Sequence, residues 1–222
     1  MLENVKAVIF DLDGTLADSM WVWTSVDHDY IKEYNLVVPE TFYDEMEGMS
    51  FTETAQYFLD TFPQITLSLE ELKQAWVTMA EEKYRHEVVL KKGIRKFLAE
   101  LKEKEILVGM ATSNSRVLAE GILESNDIRK YFDTIWTSCD VKAGKPAPDV
   151  YLKVAEELGV SPQDCLVFED VPMGILAGKN AGMKVCAVED TFSAHQREKK
   201  RELADYYIRD YDDIKAKSYE VL

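Results

Sequence analysis

The stretch VKAVIFDLDGTLADS, residues 5–19, decides the architecture. Val5 to Phe10 is almost wholly apolar, as suits a strand covered on both faces of a parallel sheet. The run stops on two carboxylates, Asp11 and Asp13, followed at once by Gly14 and Thr15. A buried strand that ends in two acids is delivering them to a particular place.

Four more apolar runs read as buried strands: Ile106–Ala111, Thr134–Thr137, Cys165–Phe168 and Val185–Val188. Tyr206–Ile208 reads as a short edge strand. Helical patterns lie between the later runs, at 94–104, 116–125, 150–158 and 172–181, and Gly159 is placed to cap the third. Strands alternating with helices define an α/β class with a doubly wound parallel sheet. The first strand breaks the rhythm. The long segment after it is helical in pattern and carries two capping boxes, Ser50–Glu53 and Ser68–Glu71. It is too long for one crossover helix. The expected organisation is therefore an α/β core of residues 1–16 and 89–222 with a helical cap inserted at 17–88, over the sheet edge where open α/β folds bind ligands.

At 222 residues with 46% hydrophobic content, the chain can bury its own core without disulfides or a structural metal. The net charge of −15 argues against a nucleic-acid partner. The one basic run, HQREKKRE at 195–202, is laced with acids and reads as a solvated helix face. Cys139, Cys165 and Cys186 sit among apolar neighbours and read as buried, reduced thiols. No apolar run reaches the about 18 residues of a membrane span, and residues 1–10 lack the pattern of a signal peptide. The expectation is a cytoplasmic protein with no membrane association, monomeric because the cap can shield the site unaided.

Four strand ends carry unusual residues: Asp11, Asp13, Gly14 and Thr15; then Thr112, Ser113 and Asn114; then KAGKPAPD with Lys145; then Glu169 and Asp170. In a parallel sheet these ends share one edge. Several carboxylates at one locus repel one another unless a cation joins them, and donors that are all hard oxygens favour Mg²⁺. The cation recruits an anion, normally a phosphate. Lys145 adds positive charge, Thr112 a hydroxyl, and Gly14 is expected to let backbone N–H groups form an anion nest. An ionised Asp11 could then attack phosphorus to form an aspartyl-phosphate, with Asp13 as general acid and then base. A lone D-x-D, Lys-Pro or Glu-Asp pair is usually a turn or cap. The signal lies in all four clusters falling at strand ends in this order.

These motifs resemble those of the haloacid dehalogenase superfamily, within it the β-phosphoglucomutase-like phosphatases with a helical cap. DLDGT, ATSN, GKPAPD and FEDVPMGILAGKNAG match the four family motifs in order, and the resemblance spans essentially the whole chain. It implies that Asp11 is nucleophile and Mg²⁺ ligand, and that Asp13 is acid/base and ligates through its carbonyl. It implies that Thr112, Ser113 and Lys145 bind phosphate, that Asp170 and Glu169 serve the metal, and that Asn114 contacts substrate. The expected activity is Mg²⁺-dependent hydrolysis of a small phosphate ester, a sugar phosphate by first choice, with a phosphosugar mutase as the alternative. Mutases of the family carry a His and an Arg in the cap where, by motif offset, this chain has Trp23 and Phe51. That departure favours the phosphatase. A phospho-receiver module is disfavoured, because both acids follow the first strand.

Within the cap, Trp23 and Phe51 are candidate substrate contacts, whereas Trp21, Trp76, Met79 and Tyr84 read as packing. Met46 and Met49 flank Gly48 in a loop that would make the pocket apolar if it faces the site. His28, His86 and His195 match no metal spacing. Gly174, Ala177, Gly178 and Ala181 form a small-residue stripe suited to close packing of a helix on the sheet.

Overall fold

The computed structural model describes residues 1–222. The chain runs β1 (Ala7–Phe10), β2 (Ala17–Asp18), α1 (Met20–Tyr34), α2 (Phe42–Met46), α3 (Phe51–Thr61), α4 (Leu69–His86) and β3 (Val89–Leu90). It continues α5 (Ile94–Glu103), β4 (Leu107–Thr112), α6 (Arg116–Ser125), β5 (Thr134–Thr137), α7 (Asp149–Leu158), β6 (Cys165–Glu169) and α8 (Pro172–Asn180). It ends β7 (Lys184–Val188), α9 (Arg197–Leu203), β8 (Tyr206–Ile208), α10 (Asp212–Ala216) and β9 (Glu220–Val221).

Seven strands form one sheet in the order β5-β4-β1-β6-β7-β8-β9, parallel except for β9. Tyr206–Ile208 is thus not the edge, because β9 covers it antiparallel. Strand β1 lies inside the sheet, between β4 and β6, and is fully buried. Its register matters most for the site. Phe10 pairs with Met110 on one side and Phe168 on the other, so Asp11, Ala111 and Glu169 leave the sheet at one level. The ladder continues one step further, with the Asp11 N–H donating to the Phe168 carbonyl at 3.1 Å. Phe10 is locked below this edge among Phe97, Phe132, Phe168 and Tyr211, at centroid distances of 5.2–6.2 Å.

Between β2 and β3, which pair antiparallel, the chain makes helices α1–α4. Both capping boxes form, with Ser50 and Ser68 accepting from the backbone of Glu53 and Glu71. The four helices bury a core of their own, in which Tyr30, Phe42, Phe58, Phe62 and Trp76 meet largely edge to face. Helix α4 belongs to both cores. Leu72 and Trp76 pack among the inserted helices, whereas Ala80 and Tyr84 join the apolar layer on the sheet.

Three further sequence expectations change. Cys139 is exposed, its thiol 3.3 Å from the Thr52 hydroxyl, because the turn after β5 carries it to the surface. Trp21 is 39% exposed and donates to the Asp18 carbonyl, so it lies at the surface and not in the core of the inserted helices. In the basic run, Lys200 is fully buried instead of solvated. Its ammonium donates to the Val188 carbonyl at 3.3 Å and the Ser193 hydroxyl at 3.1 Å.

Candidate active site

The sheet register brings the strand-end residues together. Carboxylate oxygens of Asp11, Glu169 and Asp170 all lie within 4.8 Å of one another, and all three residues are buried. Lys145 reaches Asp11 Oδ1 at 2.6 Å and Glu169 Oε1 at 2.5 Å. Tyr151 donates to the same Glu169 oxygen. Burial, then the Glu169 and Asp13 charges, push the Asp11 carboxyl up to about 8 against the pull of Lys145. Burial, then Glu169 and Asp11, hold the Asp170 carboxyl well above its usual range. Burial opposes the Lys145 charge, but the Asp11 and Glu169 carboxylates outweigh it and raise that amine.

One ammonium cannot satisfy three buried carboxylates, so the cluster fits a hard divalent cation, with oxygen as its only donor type. The surroundings are shaped for it. Asp170 accepts from the Thr15 hydroxyl at 3.2 Å and the Ser193 hydroxyl at 3.3 Å. Gly14, at φ +79°, leaves room for the Asp170 carboxylate, since a Cβ there would fall 2.3 Å from its Oδ2. The expected nest role for Gly14 is not what is seen. Its N–H donates to the Ala17 carbonyl at 2.8 Å, closing the turn between β1 and β2. Gly174 works the same way as clearance, because a Cβ there would meet the Glu169 carboxylate. Gly178 does the packing expected of the stripe, facing Val185 and Val167 of the sheet.

Asp13 stands apart from that cluster. Ser19 donates to its Oδ1 at 2.6 Å, Tyr84 donates to the same oxygen, and Asn114 Nδ2 donates to Oδ2 at 2.9 Å. Asn114 also reaches the Tyr84 hydroxyl at 2.8 Å. Burial raises the Asp13 carboxyl, and the three donors partly offset it. Ser19 occupies the N-cap of α1, yet its hydroxyl caps nothing and serves Asp13 instead. Thr112 is buried and accepts from the Asn114 N–H at 3.0 Å, while the Ser113 hydroxyl is buried and unpartnered.

These groups open into a cavity of about 610 Å³ between the sheet edge and the inserted helices. Trp23, Met46, Met49 and Phe51 line it, and the rings of Trp23 and Phe51 are 5.8 Å apart. Trp76 borders it too, while packing in the core of the inserted helices as expected. His195 is exposed at its margin. The loop before α3 lies flat on the Lys145 loop because Gly48, at φ +87°, would otherwise place a Cβ 2.5 Å from the Lys145 carbonyl. Beside it, Glu47 accepts from the Met173 N–H at 3.1 Å in the first turn of α8, and from Gln196. The Phe51 N–H donates to the Ser113 carbonyl at 2.8 Å.

Sequence reasoning brought Asp11, Asp13, Ser113, Asn114, Lys145, Glu169, Asp170, Trp23 and Phe51 to one cavity, with Thr112 just behind it. It missed Ser19, Tyr84, Tyr151 and Glu47. Tyr84 is the last member of the buried stripe Leu72–Trp76–Ala80–Tyr84 on α4, and its polar tip was the one available signal.

The profile of the haloacid dehalogenase-like hydrolases matches residues 8–188. A phosphorylated carbohydrates phosphatase of Thermotoga maritima is 34% identical over 183 residues, covering 81% of this chain and 83% of that protein. Hexitol phosphatase B of Escherichia coli K12 is 28% identical over 191 residues, covering 83% and 84%. The crystal structure of CbbY from Rhodobacter sphaeroides in complex with phosphate superposes with a TM-score of 0.82 at 24% identity, covering 95% and 96%, and shows the shared fold. The chain belongs to the haloacid dehalogenase-like hydrolase family. No helix is long and apolar enough to cross a membrane.

Proposed function

We propose that this chain is a Mg²⁺-dependent phosphatase that hydrolyses a small phosphate monoester, a phosphorylated sugar or polyol, through a phosphorylated Asp11. The observation that carries the reading is the pairing of Asp11, 2.6 Å from Lys145 and within the Glu169–Asp170 cluster, with a separately held Asp13. The names of the Thermotoga and Escherichia relatives support the substrate class.

The carboxylates of Asp11, Asp170 and Glu169, with the Asp13 carbonyl, would hold Mg²⁺. When bound, the ion supplies positive charge that keeps the acids ionised and neutralises the transferring oxygens. Lys145 steadies the charged form of Asp11, whose oxygen attacks phosphorus while the P–O bond to the substrate alcohol breaks. Asp13, its protonated form favoured by burial, gives its proton to that leaving oxygen. It then removes a proton from the water that attacks the acyl phosphate, which restores Asp11 and releases inorganic phosphate. The unpartnered Ser113 hydroxyl is a free donor for the phosphoryl group. The cavity holds no arginine, and Trp23 and Phe51 stand packed together where mutases carry His and Arg, which supports hydrolysis over phosphoryl return.

The test is phosphate release from a panel of monoesters, with and without Mg²⁺, with Asp11→Asn as control. Metal-dependent release that the variant loses supports the reading; equal release by both proteins refutes it.

A further inference from the structure

Lys200, on α9, is fully buried, and its ammonium makes only two hydrogen bonds, to the Val188 carbonyl at 3.3 Å and the Ser193 hydroxyl at 3.1 Å. Both acceptors are neutral, and no carboxylate forms a salt bridge with it. A buried ammonium is costly and is normally paired. Here the charges that favour it lie beyond contact. Burial pushes the amine down, and Asp170, then Glu189 and Asp190, hold it up. A charge kept in the core without a partner needs a reason, and its second acceptor supplies one.

Ser193 is 1% exposed and stands between Lys200 and Asp170. Its hydroxyl lies 2.9 Å from the Asp170 carbonyl and 3.3 Å from Asp170 Oδ2. An ammonium can only donate, and a serine hydroxyl has one proton. Ser193 Oγ therefore accepts from Lys200, and its own proton is left for Asp170. The Thr15 hydroxyl donates to the other carboxylate oxygen, Asp170 Oδ1, at 3.2 Å. Two hydroxyls from separate pieces of chain thus hold one oxygen each. Ser193 is itself braced. By reaching both Val188 and Ser193, Lys200 closes the loop between them. Inside that loop Asp190 accepts from the Phe192 N–H at 2.8 Å and from the Lys91 ammonium. Without the Lys200 ammonium, nothing fixes the sense of the Ser193 bond.

We propose that Lys200 is a positioning residue for the metal ligand Asp170, acting through Ser193, whose hydroxyl it forces to donate to Asp170. The inference rests on the Mg²⁺-dependent phosphatase reading for the role of Asp170. It carries a sign that charge alone does not. A lysine near a cation site repels the ion, so its removal would tighten Mg²⁺ binding if Lys200 acted through its charge. Removal of a group that orients a metal ligand loosens binding instead, commonly by about 10–100-fold.

The experiment is calorimetry of Mg²⁺ binding without substrate, so that turnover plays no part. It compares the wild type with Lys200→Met, Ser193→Ala and the double variant. Methionine keeps the length of the lysine stem without its charge, and thermal unfolding of the metal-free proteins verifies that each variant folds. Each single variant should bind Mg²⁺ more weakly than the wild type, by about tenfold or more. The double variant should lie within about threefold of the weaker single one, because the two residues act in series. Binding by Lys200→Met as tight as the wild type, or tighter, overturns the proposal. Losses that multiply in the double variant overturn it too. Should Lys200→Met not fold, Ser193→Ala decides alone: a loss of about tenfold supports the proposal and unchanged affinity overturns it. A wild type that binds no Mg²⁺ removes the metal reading and the proposal together, whereas a wild type that binds it with unaffected variants removes the proposal only.

Discussion

Tyr84→Phe separates a role in acid–base chemistry from a role in packing. The Tyr84 hydroxyl is one of three donors on Asp13, beside Ser19 at 2.6 Å and Asn114 at 2.9 Å. Each donor favours the ionised carboxylate and so lowers a pKa that burial has raised. Hydrogen bonds to charged groups are worth about 1.5–3 kcal/mol, and one pKa unit corresponds to about 1.4 kcal/mol. Removing one of three donors forfeits a bond of that order and should therefore raise the Asp13 pKa further. In the proposed mechanism Asp13 must be protonated to deliver its proton, so activity should be lost on the alkaline side as it ionises. A higher pKa moves that limb of the kcat/KM profile to higher pH. The assay is kcat/KM against pH on one good substrate, with Ser19→Ala as a companion expected to shift the limb in the same direction. The ring remains in the apolar layer, so unfolding stability should fall by about 1–3 kcal/mol, the range for one unmet buried polar group. A loss of stability with the alkaline limb unmoved would refute the reasoning, because Tyr84 would then be structural only.

Four further outcomes are expected. Asp11→Asn should lose at least about three orders of magnitude in kcat, read as phosphate release, as nucleophile removal commonly does. Gly14→Ala should raise the Mg²⁺ concentration for half-maximal activity and lower the melting temperature, because its Cβ would occupy the space of the Asp170 carboxylate. Lys200→Met frees the Ser193 hydroxyl that rests on Asp170, and Mg²⁺ titration of activity should show affinity weakened about tenfold or more. For Asp27→Asn the sign follows from a raised carboxyl: between the ordinary aspartate value of 3.8 and about 6 the folded state keeps a proton that the unfolded chain gives up, so stability falls as pH rises through that window. The variant should therefore melt higher than the wild type at pH 7 and nearly level with it below pH 4, by calorimetry.

The meeting of the candidate site residues was legible in the sequence wherever they stand at strand ends. Asp11, Lys145, Glu169 and Asp170 follow apolar runs or turn signals, and the parallel register leaves them no other place to meet. What escaped reading is carried by residues whose local pattern is ordinary. Ser19 looks like a helix cap, Tyr84 like one more apolar position on α4, and Lys200 like part of a solvated run. Their work depends on contacts across 6, 71 and 7 residues of chain, and no spacing rule reports these. Gly14 shows the opposite failure. Its presence was noticed, but the reason for it was a side chain from a different strand end, visible only once Asp170 is in place.

The hold on Asp13 also ties the chemistry to the position of the inserted helices. Its donors come from three separate pieces of chain: Ser19 at the entry to α1, Tyr84 near the end of α4, and Asn114 after β4 of the sheet. Asp11 has no such dependence, since its partners all belong to the α/β layer. The proposed nucleophile is thus held by the sheet layer alone, whereas the proposed acid is fully held only with α1 and α4 seated on it. Glu47, on Met173 and Gln196, and the Phe51–Ser113 backbone bond hold that seating from the far side of the cavity. A perturbation there, such as Glu47→Ala, should reach catalysis through Asp13 and not through Asp11. The distinguishing measurement is the alkaline limb of the pH profile, which should move while the acid limb stays where it was. Movement of the acid limb instead would show that the two halves of the site are not divided in this way.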